Sequence, residues 1–149
     1  MATTVGNENT FEDLVTNLIL LEHDAIAAYD STIERLSGAD LADQVRTFRE
    51  DHLQHLEVLR EMASEIGIEA PAEGDMKQML TTGKIAMANL AGDSAILKAM
   101  RTNEEDTVTA YERASDHPDT IEKSRAFFQK AHADELRHRE WMQTTAEAL

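Results

Sequence analysis

The stretch Asp51-His52-Leu53-Gln54-His55-Leu56-Glu57 returns later in the chain as Asp134-Glu135-Leu136-Arg137-His138-Arg139-Glu140. A second motif, Glu-x-Asp-x-x-x-Ala-Tyr, occurs at Glu22, Asp24, Ala28 and Tyr29, and again at Glu104, Asp106, Ala110 and Tyr111. The separation between copies differs by a single residue between the two motifs, so the halves of the chain repeat with one near-constant shift. Each motif lies within a run whose apolar residues fall three and four apart, the mark of a helix face. Two related helical hairpins facing one another across a pseudo-two-fold axis are the simplest reading.

The surrounding sequence extends these runs into four long helices. Thr10 reads as an N-cap with Asp13 at the third helical position. The stripe that follows is Leu14, Leu18, Leu21, Ala25, Tyr29, Ile33 and Leu36. Ser37-Gly38 is expected to end it, with Gly38 supplying a left-handed residue. Asp40 is expected to cap the second helix, whose stripe runs from Leu41, Val45 and Phe48 to Leu59, Met62 and Ile66, with Gly67 as the stop. Glu69 to Asp75 contains Pro71 and Gly74 and reads as a loop, followed by a shorter helix over Met76–Leu90. A third long helix is expected from Ser94 to Ala114. Asp116-His117-Pro118 reads as a turn, with Pro118 in the first turn of the last helix. The connections near residues 38 and 117 are short, which makes each flanking pair antiparallel neighbours. The predicted fold is therefore all-α: an antiparallel four-helix bundle over residues 10–149, with a short extra helix in the crossover and a flexible tail over residues 1–9. A second apolar line on the first helix, Val15, Ile19 and Ile26, needs the crossover helix or a partner chain to cover it, and a homodimer is expected.

Composition narrows the function. A chain of 149 residues is one domain's worth. It carries 14 basic and 29 acidic residues, a net charge of −15, which argues against nucleic acid and anionic membrane surfaces as partners. There is no cysteine, which removes disulfides, zinc ribbons, iron–sulfur clusters and thiol nucleophiles. No apolar run approaches the roughly 18 residues of a membrane span, and the first residues lack the basic and apolar parts of a signal peptide. A cytoplasmic location is expected.

Six polar residues interrupt the apolar stripes: Glu22, His52, His55, Glu104, Glu135 and His138. Each falls near mid-helix, where the spacing calls for a core-facing side chain. A buried carboxylate without a partner costs several kcal/mol, and three at one level also repel one another. A metal ion among them is the simplest remedy. Glu135 and His138 stand three apart and project toward one point, as do His52 and His55. With one carboxylate each from Glu22 and Glu104, this is the ligand arrangement of di-iron and di-manganese carboxylate bundles. Imidazole and carboxylate together suit iron, manganese or zinc. A metal-free network of three protonated histidines and three glutamates is the plainer alternative. Tyr29 and Tyr111 are read as core tyrosines whose hydroxyls find a carboxylate. His23, Asp24, Glu105 and Asp106 are read as a solvated flank, and His117 as a turn residue.

The run Asp134-Glu135-x-x-His138-x-x-Trp141, with Glu22 followed seven residues on by Tyr29, resembles the ferritin-like superfamily, nearest in pattern to bacterioferritin and rubrerythrin bundles. The crossover segment is more similar to an uncharacterised bacterial family of such bundles. The resemblance implies iron, as two ions or one, with Glu22, Glu104, His55 and His138 as terminal ligands and Glu135 as a bridge. It implies that Asp51 and Asp134 hold the histidines from outside. His52 departs from the pattern, which has a second bridging Glu there, and an imidazole does not bridge as a carboxylate does. The implied activity is oxidation of ferrous iron or removal of peroxide. Without cysteine there is no rubredoxin-type site, so any electron donor is a separate partner. Iron storage in a shell and a non-enzymatic bundle with a degenerate site are the rival readings. The chain stops at Leu149 without the fifth helix of shell-forming ferritins, which speaks against storage.

Overall fold

The computed structural model describes residues 3–72 and 91–149. Four long helices carry the fold: α1 (Phe11–Arg35), α2 (Ala39–Glu65), α3 (Asp93–Asp116) and α4 (Glu122–Ala148). Among the described residues there is no strand. The short helix expected over Met76–Leu90 lies outside them.

α1 begins as the sequence predicts. Thr10 Oγ1 accepts the Asp13 N–H at 3.1 Å, and Glu12 and Asp13 sit in the first turn, where negative charge favours the helix N-terminus. Its end differs from expectation. The helix stops at Arg35, and Gly38 has φ −77°, so no left-handed glycine closes it. Asp93, at the start of α3, holds the corner instead, accepting the N–H groups of Ser37 and Gly38 at 2.8 and 2.9 Å. Asp40 does not cap α2 as expected. Gly38 occupies the capping position of α2, and Asp40 sits in its first turn. Gly67 does adopt φ +75° and ends α2 as expected, with the Ile68 N–H donating to the Ala63 carbonyl at 2.9 Å. α4 starts later than Pro118. Thr120 donates its hydroxyl to the Ala114 carbonyl at 2.8 Å and its N–H to the His117 carbonyl at 3.0 Å, so residues 117–121 form a buttress beneath α3 rather than a first helical turn.

α1 packs along α2, α3 along α4, and α1 along α3, while the α2 and α4 backbones touch least. Two apolar layers fill the interior. One gathers Leu14, Leu18, Leu59, Tyr111 and Phe128, and the other Tyr29, Phe48, Leu97, Met100 and Met142. On every helix the six interrupting polar residues fall between these layers. Val15 and Ile19 are buried in the first layer and Ile26 packs against it, so the second apolar line on α1 is covered within the chain. The segment before α1 lies on α3: Thr3 N–H donates to Asp106, Arg113 reaches the carbonyls of Thr3 and Val5, and Val5 is buried. Among the described residues no helix is long and apolar enough to cross a membrane.

Candidate metal centre

All six residues converge on one point. Glu22, His52, Glu135 and His138 are 0% exposed, and His55 and Glu104 are 1% exposed. They form two overlapping groups whose donor atoms lie within 4.8 Å of one another: Glu22, His52, His55 and Glu135 in one, and His52, Glu104, Glu135 and His138 in the other. α1 and α3 each supply a single carboxylate from mid-helix. α2 and α4 each supply a pair at i and i+3, which the helical repeat turns onto one face.

The centre is held from outside in a crosswise pattern. His55 on α2 donates Nε2–H to Asp134 on α4 at 2.8 Å, and His138 on α4 donates Nε2–H to Asp51 on α2 at 2.8 Å. A carboxylate only accepts, so both rings turn Nδ1 inward. The tyrosines repeat the exchange between the other helices. Tyr111 on α3 donates to Glu22 at 2.6 Å, and Tyr29 on α1 donates to Glu104.

Thr107 was not singled out in the sequence. Its hydroxyl lies 2.9 Å from the Glu104 carbonyl and 3.0 Å from both Glu104 Oε2 and Glu135 Oε2, and its single proton goes to one of these acceptors at a time. Its spacing of three from Glu104 was the available signal. His23 was read as solvated but is buried at 7% exposure. It stands four residues after Ile19 and three before Ile26, on the covered apolar line, which is why it is turned inward. His117 does close a turn, and it does so from a buried position, with Nε2–H donating to the Glu8 carbonyl at 2.7 Å.

Charge is concentrated here. Burial alone would raise Glu22, but His52 and His55 beside it hold its carboxyl at about 2. Burial would lower His55, yet its hydrogen bond to Asp134 and the nearby carboxylates of Glu135 and Glu22 bring it up to about 11. His138 likewise rises against its burial to about 9, through Glu104 and Glu135. His52 is raised well above its ordinary value despite complete burial, by the charges of Glu135 and Glu22. Glu135 itself is raised, by burial first and by the neighbouring Glu104 charge. Burial and the adjacent carboxylates push both tyrosines up, so their hydroxyls stay protonated as donors.

Three atoms in this charged centre have no hydrogen-bond partner: His52 Nε2, His55 Nδ1 and Glu135 Oε1. His55 Nδ1 and Glu135 Oε1 face one another at 3.3 Å without the geometry of a hydrogen bond, and His52 Nε2 lies 3.6 Å from Glu104 and Glu135. All three belong to residues of the two overlapping groups, where a divalent cation could take each as a ligand. The donor set and the orphaned atoms therefore fit a metal ion. A slot of about 30 Å³ between α1 and α3 leads to Glu104, with Asp24, Asn103 and Asp106 among its lining. Asp24 and Asp106 were read as flank residues, and they are half-buried here. Burial raises both carboxyls, and the Asp106 charge adds to the shift of Asp24.

Fold and site together define a helical protein with a buried carboxylate–imidazole centre able to hold a metal ion. Residues 10–117 match the family described as a domain of unknown function (DUF2383), and the chain belongs to it. The matched stretch contains Glu22, His52, His55 and Glu104, while Glu135 and His138 lie beyond it. No curated protein and no solved structure matches the chain.

Proposed function

We propose that this chain is a ferritin-like metal protein whose resident or substrate ion is iron, bound by Glu22, His52, His55, Glu104, Glu135 and His138. The observation that carries the reading is the trio of orphaned buried atoms, His52 Nε2, His55 Nδ1 and Glu135 Oε1, within a set of three carboxylates and three imidazoles. The antiparallel ferritin-like arrangement is part of the same proposal. Its support is the order of contacts: Asp30 meets Arg49 and Glu22 meets His52, while Arg101 meets Gln143 and Thr107 meets Glu135, so each second helix runs back along the first.

The side chains divide the work. Glu22, Glu104 and Glu135 balance the positive charge of an ion. Asp51 and Asp134 fix the tautomers of His138 and His55 and turn Nδ1 of each ring inward to ligate, that of His138 beside the Tyr29 hydroxyl at 3.3 Å. Tyr29 and Tyr111 orient the carboxylates of α3 and α1, and the apolar layers above and below exclude water. When bound, ferrous iron supplies the electrons that reduce dioxygen or peroxide, and iron and oxidant reach the centre as substrates.

The test is metal content followed by turnover. The metal-free protein is loaded anaerobically with ferrous iron, desalted and analysed for metal, then exposed to dioxygen or peroxide. Retention of iron with oxidation faster than in buffer is expected. Retention without turnover would reduce the reading to metal binding. Failure to retain ferrous, manganous or zinc ions would remove it.

A further inference from the structure

The two halves of the centre are not chemically equal. They share Glu135 and His52. Glu135 serves both with separate oxygens: Oε1 lies 3.3 Å from His55 Nδ1, and Oε2 lies 3.5 Å from His138 Nδ1 and 3.6 Å from His52 Nε2. His52 does not serve both. Its Nδ1 lies 2.8 Å from Glu22 Oε2. Its Nε2 makes no hydrogen bond and lies 3.6 Å from both Glu104 Oε1 and Glu135 Oε2. A neutral imidazole has one lone pair. With Nδ1–H donated to Glu22, that lone pair is on Nε2 and faces the Glu104 half.

We propose that His52 splits the centre into a tight half, in which His52, Glu104, Glu135 and His138 hold one divalent cation, and a weak half, in which Glu22, His55 and Glu135 accept a second cation only in excess metal. This rests on the metal-binding reading above and goes beyond it by ranking the sites. Donor count gives the ranking: four donors face the first half and three the second. Charge gives it again. Three carboxylates more than neutralise one divalent cation and fall short of neutralising two. The repeat identifies the cause, because His52 on α2 stands where α4 carries the bridging Glu135.

Cobalt(II) titration, followed by visible absorption and by metal retained after desalting, tests the ranking. The wild type is expected to bind two ions in separate steps about 100-fold or more apart in affinity, and to retain one. His55→Ala should lose the weak step and keep the tight one with its spectrum unchanged. His138→Ala should lose the tight step. His52→Glu, which restores a second bridging carboxylate, should retain two ions. Circular dichroism checks that each variant folds, and the wild-type titration needs no variant. Two steps of equal affinity in the wild type, or loss of the tight step in His55→Ala, would overturn the ranking while leaving metal binding intact. No retention of cobalt, iron, manganese or zinc would instead overturn the metal-binding reading, and the ranking with it.

Discussion

Loading the centre at pH 7 is expected to expel about two protons with the first ion and about one more with the second. In the metal-free protein His138 is held up to about 9 by Glu104 and Glu135 against its burial, and His55 to about 11 by Asp134, Glu135 and Glu22. His52 is raised in the same way by Glu135 and Glu22. All three rings are therefore imidazolium at neutral pH, and an imidazolium has no lone pair to give a metal. Each ring that ligates must first lose a proton. The first ion draws on His52 and His138, and the second on His55. Each proton displaced makes the affinity change about tenfold per pH unit, so the first ion should bind roughly 100-fold more weakly at pH 6 than at pH 7. Isothermal calorimetry with zinc in buffers of different ionisation enthalpy counts the protons directly. Binding with heats independent of the buffer, and an affinity flat from pH 6 to 7, would refute the reasoning. The metal would then be binding elsewhere, or the histidines would be neutral before it arrives.

Three further outcomes follow from the same geometry. Without metal, the raised histidines contribute stability that is fully present below their unfolded value of 6.5 and is lost as pH rises through about 9 and then about 11. Glu22 contributes stability that is present above 4.5 and is lost as pH falls toward about 2. Thermal unfolding in chelator should therefore show maximal stability between pH 4.5 and 6.5, and a maximum above pH 9 would contradict these shifts. Asp51→Asn should weaken the first ion by about 10- to 100-fold and spare the second, with Asp134→Asn doing the converse. Equilibrium dialysis separates the two, and equal effects of Asp51→Asn on both steps would argue against the crosswise holding. Replacing Asp24 and Asp106 together by Asn should slow metal uptake by about tenfold at low ionic strength, with the final stoichiometry unchanged. Stopped-flow absorption with cobalt measures this, and an unchanged rate would mean that cations enter by another path.

Much of the centre was legible because polar residues on a buried stripe stand out against it. Glu22, His52, His55, Glu104, Glu135 and His138 each occupy a position where three- and four-residue spacing calls for an apolar side chain. The partnership of Asp51 with His138, and of Asp134 with His55, depends on the register of α2 against α4, which spacing within either helix does not contain. The same limit applies at the corner after α1, where the carboxylate that holds Ser37 and Gly38 comes from Asp93, at the start of another helix. Asp40 was the reasonable choice from local rules. His23 was misplaced for a different reason. The first helix buries two adjacent lines rather than one, and a single-stripe reading turned the second toward water.

The symmetry of the supports and the asymmetry of what they support argue together against a purely structural role for the cluster. Tyr29 with Glu104 mirrors Tyr111 with Glu22, and Asp51 with His138 mirrors Asp134 with His55. Every outer contact is satisfied, so the bundle can pair buried polar groups when it needs to. The three unpaired atoms, His52 Nε2, His55 Nδ1 and Glu135 Oε1, all lie on the inner side. His55 Nδ1 and Glu135 Oε1 face one another at 3.3 Å, and His52 Nε2 faces two carboxylates at 3.6 Å, without the geometry of a hydrogen bond. A salt-bridge network kept for stability would do better with apolar residues of similar volume, which often match or exceed a buried ion pair. A centre satisfied outside and unsatisfied inside has the polarity of a ligand shell, in which the inner atoms can turn to an ion once the rings give up their protons.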